Sequence, residues 1–190
     1  MSGRSEARWA QWLIGAAAVA CAWAASVTTP GIGTIQAPFP VPARIGETAV
    51  GRNFEITVTA IHSADSVSSR GFRGKTWTAA GTWVVVDLTL AARVKATSLQ
   101  TAILTIDGRS WSVSERPDSL RNELVEPGIA RTGSLAFELP RAARSGVATL
   151  RLGTGLGGND LDSELRLPVD LGALPVENSV PVRPNRWAGP

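Results

Sequence analysis

The sequence predicts an antiparallel β-sandwich of about seven strands, preceded by one N-terminal transmembrane or signal helix. Three observations predict it. Residues 9–27 form an apolar run with no charge, apolar residues alternate at period two from residue 44 onward, and glycine or proline turn signals separate the alternating runs. The 190 residues are 44 % hydrophobic, enough to bury a core.

The elements come in this order. Residues 1–8 (MSGRSEAR) are polar, carry Arg4 and Arg8, and read as a cytoplasmic n-region. Residues 9–27 (WAQWLIGAAAVACAWAASV) would rise about 28 Å as a helix, close to the hydrocarbon thickness of a bilayer. Trp9 and Trp12 stand at one end and Trp23 near the other, as interfacial aromatics do. The basic flank comes first, so the N-terminus stays inside and the remainder crosses. Two other export readings stay open. Ala22-Trp23-Ala24 fits a small-x-small cleavage site, and Cys21 after Ala18-Val19-Ala20 is a poor lipoprotein signal. Each reading places the rest at the outer face of the cytoplasmic membrane or in the secreted fraction.

Residues 28–43 hold Pro30, Pro38, Pro40 and Pro42 and read as an extended linker, free or packed along the sandwich. The sandwich is expected over 44–173. Phe54, Ile56, Val58 and Ala60 alternate with Glu55, Thr57 and Thr59, and Val84, Val86, Leu88 and Leu90 alternate with Val85, Asp87 and Thr89. Leu135, Phe137 and Leu139 alternate with Ala136 and Glu138. Ala148, Leu150 and Leu152 come next, then Leu165, Leu167, Val169 and Leu171. Each set describes one buried and one wetter face. Asp107-Gly108 is a hairpin signal and Pro127-Gly128 a second turn. Residues 174–190, rich in proline, are expected as a flexible tail in which Trp187 is either stray or a docking residue.

Charge and chemistry exclude several functions. The pI is about 10.0, yet the net charge is only +3 and the arginines are scattered singly between acids, so no nucleic-acid surface is implied. Cys21 is the sole cysteine and lies in the apolar run, so neither a disulfide nor a cysteine metal site is available to the folded part. His62 is the sole histidine and reads as structural; no metal or cofactor is expected. Asp160, Asp162 and Glu164 alternate after the glycine-rich run 153–158. They can be drawn as calcium ligands, but a solvated turn suits them better.

The segment 63–80 reads as a long connection carrying Arg70, Phe72, Arg73, Lys75 and Trp77. Arginine and tryptophan favour binding surfaces, so these five are the candidate partner site. Lipid headgroup contact and a fold-back that closes one end of the sandwich are the alternatives.

Specific residues also carry a resemblance. Gly81-Thr82-Trp83-Val84-Val85-Val86-Asp87-Leu88, Ile106-Asp107-Gly108-Arg109-Ser110-Trp111, Glu126-Pro127-Gly128 and Gly133-Ser134-Leu135-Ala136-Phe137-Glu138-Leu139-Pro140 are the residues concerned. Together they resemble an uncharacterised group of bacterial, largely actinobacterial, extracellular Ig-like domains. That group is similar in fold to a small secreted mycobacterial antigen, and some members carry a misleading telomeric-repeat-binding-factor label. The resemblance spans roughly residues 45–171. It implies an Ig-like sandwich outside the cytoplasm and no catalytic residues.

The expectation is therefore a non-catalytic binding or accessory domain of the cell envelope, not an enzyme, with an envelope protein as partner. Two alternatives remain. One is a carrier of a small apolar ligand or lipid in a cavity between the sheets. The other is an enzyme on envelope polysaccharide, which would gather carboxylates such as Asp87, Asp107 or Glu138 in one groove.

Overall fold

A computed structural model describes residues 3–29, 36–69, 74–155 and 161–189. The chain divides into two units, an N-terminal helix and a β-sandwich.

The helix α1 spans Gly3–Thr28. Trp9–Thr28 is long and apolar enough to cross a membrane, and none of that stretch is buried. Alanine supplies its helix propensity, and no polar stripe divides it into faces. At the C-terminal end the hydroxyls of Thr28 and Thr29 donate to the carbonyls of Ala24 and Ala25, satisfying acceptors that the last turn leaves open.

The sandwich comprises β1 (Phe39–Pro42), β2 (Thr48–Val50), β3 (Phe54–Ser69), β4 (Thr76–Ala92), β5 (Thr101–Ile106), β6 (Arg109–Ser112), β7 (Arg131–Leu139), β8 (Val147–Gly153), β9 (Ser163–Asp170), β10 (Val176–Val182) and β11 (Arg186–Trp187). One sheet has the order β1-β9-β8-β5-β6. The other runs β10-β3-β4-β7-β11, with β2 paired to β3. Strands β3 to β9 are the seven that the alternation and the Asp107-Gly108 hairpin signal together predict, paired antiparallel with one another. The pairings β4–β7 and β5–β8 join strands distant in sequence, which is Greek-key connectivity.

Inward residues of both sheets form one core, including Phe54, Ile56, Leu88, Leu90, Leu104, Leu135, Phe137, Leu150, Leu165 and Leu167. Asp107 and Gly108 both take positive φ in a two-residue hairpin between β5 and β6, as a type I′ turn requires. Gly128, at φ 80°, follows Pro127 in a turn closed by Ile129 N–H on the Glu126 carbonyl.

Two sequence expectations need correction, and the choice left open for the linker is decided. The linker 28–43 is not wholly free, because Phe39–Pro42 is a strand in parallel register with β9. Phe39 and Ala43 donate to the carbonyls of Asp162 and Arg166, so the two prolines between them fall on the alternate, outward-facing positions where no N–H is needed. The segment 63–80 is not a loop: β3 continues to Ser69 and β4 begins at Thr76, so most of it forms the distal arms of a hairpin. The expected flexible tail carries two strands. β10 lies parallel to the distal half of β3, and β11 pairs with β7.

That C-terminal segment straps the outer face of the second sheet. Val180 and Val182 pack with Ala64, Val67, Trp83, Val85 and Ala136 in a second apolar cluster, separate from the main core. The hairpin bends to meet it. Opposite the single residue Asp65, β4 places four residues, 79–82, between the pairs Ala64–Trp83 and Ser66–Thr78. Gly81 sits in this bulge, where a Cβ would lie 2.0 Å from the Leu139 carbonyl oxygen. Only glycine allows that approach.

Candidate functional site

Of the five predicted partner-site residues, Arg70, Phe72 and Arg73 lie outside the described residues. Lys75 is exposed near the hairpin tip, with its ammonium 5.5 Å from the Trp77 ring centroid. Trp77 is half-buried and packs on the second apolar cluster. Its indole thus helps hold the hairpin arm against the outer face, and Lys75 presents the charge.

Beside that cluster lies a polar network that the sequence pattern does not announce. Asp87, 3 % exposed, stands on β4 among Val84, Val85, Val86 and Leu88. Its Oδ1 accepts from the Ser134 hydroxyl on β7 at 2.5 Å, and its Oδ2 lies 2.8 Å from the Arg183 Nε in the strap. The Arg183 amide donates to Ser134 Oγ at 2.9 Å. One buried carboxylate therefore ties β4, β7 and the strap together, its charge met by a guanidinium and its lone pairs by donors.

His62 enters the same network. The alternation places it in phase with Ala60, and this holds, but both leave the core phase set by Phe54, Ile56 and Val58. The register slips between Val58–Leu88 and Ala60–Asp87, so a bulge at Thr59 reverses the faces of the residues after it. His62 consequently points outward. Its Nδ1 lies 2.9 Å from Glu177 Oε1 on β10, and its Nε2 lies 3.8 Å from Asp87 Oδ2. The Ser134 hydroxyl is spent on Asp87, so serine, histidine and aspartate here do not form a nucleophile–base–orienter sequence.

The other acids are scattered. Asp107 is a turn residue of the first sheet. Glu138 is on β7 opposite Trp83 and pairs with Arg116 at 3.0 Å. Asp87 and Glu138 lie four residues apart along β7's register, roughly 13 Å. The three do not share a groove.

Asp160 lies outside the described residues, and Asp162 caps its own neighbour by accepting from the Ser163 amide at 2.8 Å. Glu164 is not in a solvated turn; its side chain is fully buried on β9. Arg151 meets it with two bonds, Nε at 3.0 Å and Nη2 at 2.7 Å, and Arg166 Nε donates at 2.9 Å. Burial pushes the Glu164 carboxyl up, but the hydrogen bonds and charges of Arg151 and Arg166 outweigh it and hold it below the usual carboxylate range. Arg151 is raised in turn by its bond to Glu164, against the opposing effect of burial. Among the described residues no group of three or more His, Cys, Asp or Glu side chains is placed to hold a metal ion.

Clefts open at edges and ends. One of about 660 Å³ is lined by Arg52, Asn53, Val94, Lys95, Gln100 and Thr154, among others, at the end where β3 begins. Another of about 410 Å³ lies along the strap. Neither is lined by inward residues of the main core.

Trp187, in β11, lies under the Arg131 guanidinium, 4.0 Å from its carbon to the ring centroid. It is half-exposed and anchors the strap's end against β7.

No protein-family model matches the chain, and no curated protein matches it. A solved structure does: an uncharacterized beta-sandwich protein from Clostridium difficile 630, at 13 % identity and a TM-score of 0.50. The match covers 75 % of this chain and all of that one. At this identity the likeness concerns fold alone. The protein is an all-β sandwich with an N-terminal apolar helix.

Proposed function

We propose that the chain is a non-catalytic binding or accessory domain of the cell envelope. Helix α1 holds it at the outer face of the cytoplasmic membrane as a single-pass anchor with the N-terminus inside, or directs its secretion. The observation that carries this reading is α1 itself: a stretch of 20 residues with mean hydropathy 1.5, no polar face and no buried residue. Such a surface is stable in lipid, not in water.

The partner is an envelope protein, and the hairpin tip around Lys75 is the surface proposed for it. Lys75 is exposed, and Trp77 roots the arm behind it. The test is photocrosslinking in living cells from position 75, not 77, since Trp77 is needed for packing. One recurrent crosslinked protein supports the reading; an exposed probe that captures nothing ends the tip's candidacy. The address is tested separately with external protease on spheroplasts. Loss of the sandwich with protection of an N-terminal tag supports an anchored outer-face domain, and full protection rules it out.

A further inference from the structure

A cleft runs along the strap. It is lined by Thr132, Pro181, Val182, Arg183, Pro184 and Arg186, so the only charged residues along it are two arginines. Their situations differ. Arg183 is 58 % exposed, yet it is not loose: its Nε is bound to buried Asp87 and its own amide to Ser134. The terminal nitrogens of that guanidinium take no partner among the described residues. Arg186 is exposed and forms no ion pair among the described residues, although acids such as Glu123 and Glu138 find arginines nearby. Two prolines fix the backbone of the cleft wall.

A guanidinium whose inner edge is held by a buried carboxylate offers its outer donors in a fixed direction. Fixing a donor before binding removes the entropy that a free arginine would lose on engaging an anion. A second unpaired guanidinium and a threonine hydroxyl bring donors from other directions. A carboxylate, planar with two oxygens, suits one such fork; a tetrahedral oxyanion accepts from several. We propose that this cleft binds a phosphoryl group, presented by a soluble phosphorylated compound or by an anionic lipid headgroup. This site is separate from the hairpin tip and does not depend on that surface binding a protein.

The probe is inorganic phosphate, titrated calorimetrically into the full chain in non-ionic detergent at constant ionic strength, with chloride as the reference anion. A saturable heat is expected. Arg186→Gln, a change at an exposed residue that holds nothing else, should weaken it about tenfold, and Thr132→Val less. Arg183→Lys keeps a cation on Asp87 but loses the fork. It should weaken phosphate while leaving hydrogen-exchange protection of β10 unchanged. Absence of saturable binding, or binding undiminished by Arg186→Gln, overturns the proposal. Repeating the titration in phosphatidylglycerol nanodiscs separates the sources. A site already occupied there identifies the headgroup; an unchanged titration identifies a soluble phosphoryl ligand.

Discussion

The two outer faces of the sandwich each bury one carboxylate beneath arginine, and they do so over different distances. On the first sheet Glu164 is held by Arg151 on the adjacent strand and Arg166 two residues along its own strand. On the second sheet Asp87 is held by Ser134 from β7 and by Arg183 from the C-terminal strap, 96 positions away. The Glu164 cluster is local: it forms as soon as β8 and β9 pair. The Asp87 cluster closes only when the strap arrives, so it reports on long-range assembly. The same chemistry stiffens one face and fastens the other. The faces also differ in their surroundings. Asp87 sits beside the apolar cluster around Trp83, under cover; on the outward face of the first sheet Thr149, Ile103 and Thr105 are left partly open.

Five substitutions test this contrast. The largest effect is expected at Trp83→Ala. Trp83 is fully buried beneath the strap, so the change should cost about 3–5 kcal/mol in denaturant unfolding, while Ile103→Ala on the open face should cost about 1 kcal/mol or less. Equal costs would mean that the strap does not build a second core. Next is Asp87→Asn, which leaves Arg183 without its counter-charge. A loss of about 2–4 kcal/mol is expected, with hydrogen exchange rising first in β10 and β11. Exchange rising evenly over both sheets would remove the fastening role.

Glu164→Gln should cost less, about 1–2 kcal/mol, because Arg151 and Arg166 are each partly in water. Its pH dependence carries a definite sign. The folded carboxyl is held below the unfolded value of about 4.3, so the stabilisation is complete above that pH. It is lost as pH falls through the folded value. The difference between wild type and Glu164→Gln in urea midpoint should therefore vanish in strong acid and be full at neutrality. A difference independent of pH would show that packing, not charge, is what Glu164 contributes. The smallest effect belongs to His62→Gln, whose partner Glu177 is well exposed. It should stay within about 1 kcal/mol and shift exchange only in β10.

The seven antiparallel strands are legible in the sequence because their inward sets keep strict alternation: Val84, Val86, Leu88 and Leu90 all face the core as their spacing requires. Alternation fails where the ladder is irregular. Ala60 and His62 change face after one inserted residue at Thr59, and no local pattern marks that insertion. Alternation also assigns Val85 and Ala136 to the wetter side of their strands, yet both are buried, because distant residues of the C-terminal strap cover them. Asp87 is the one visible clue: a lone acid inside Trp-Val-Val-Val-Asp-Leu has to find a partner. Spacing cannot name that partner as Arg183, since the strap's proline-rich sequence reads as a tail. For the partner site, composition marks Trp77 but not its neighbours, because the second cluster it packs on is assembled by the distant C-terminal strap. The spacing of Glu164 with Asp160 and Asp162 suggests a turn, whereas Arg151 is brought to it only by β8 pairing with β9.

The alternating prolines of β1 have a further effect on how molecules meet one another. Pro40 and Pro42 occupy the outward positions of an edge strand, so that edge shows a neighbour carbonyl oxygens but no amide hydrogens. A strand from another copy approaching it would leave its own carbonyls facing carbonyls, and the ladder could not propagate. However crowded the copies become, this margin of the sandwich resists being extended into a shared sheet.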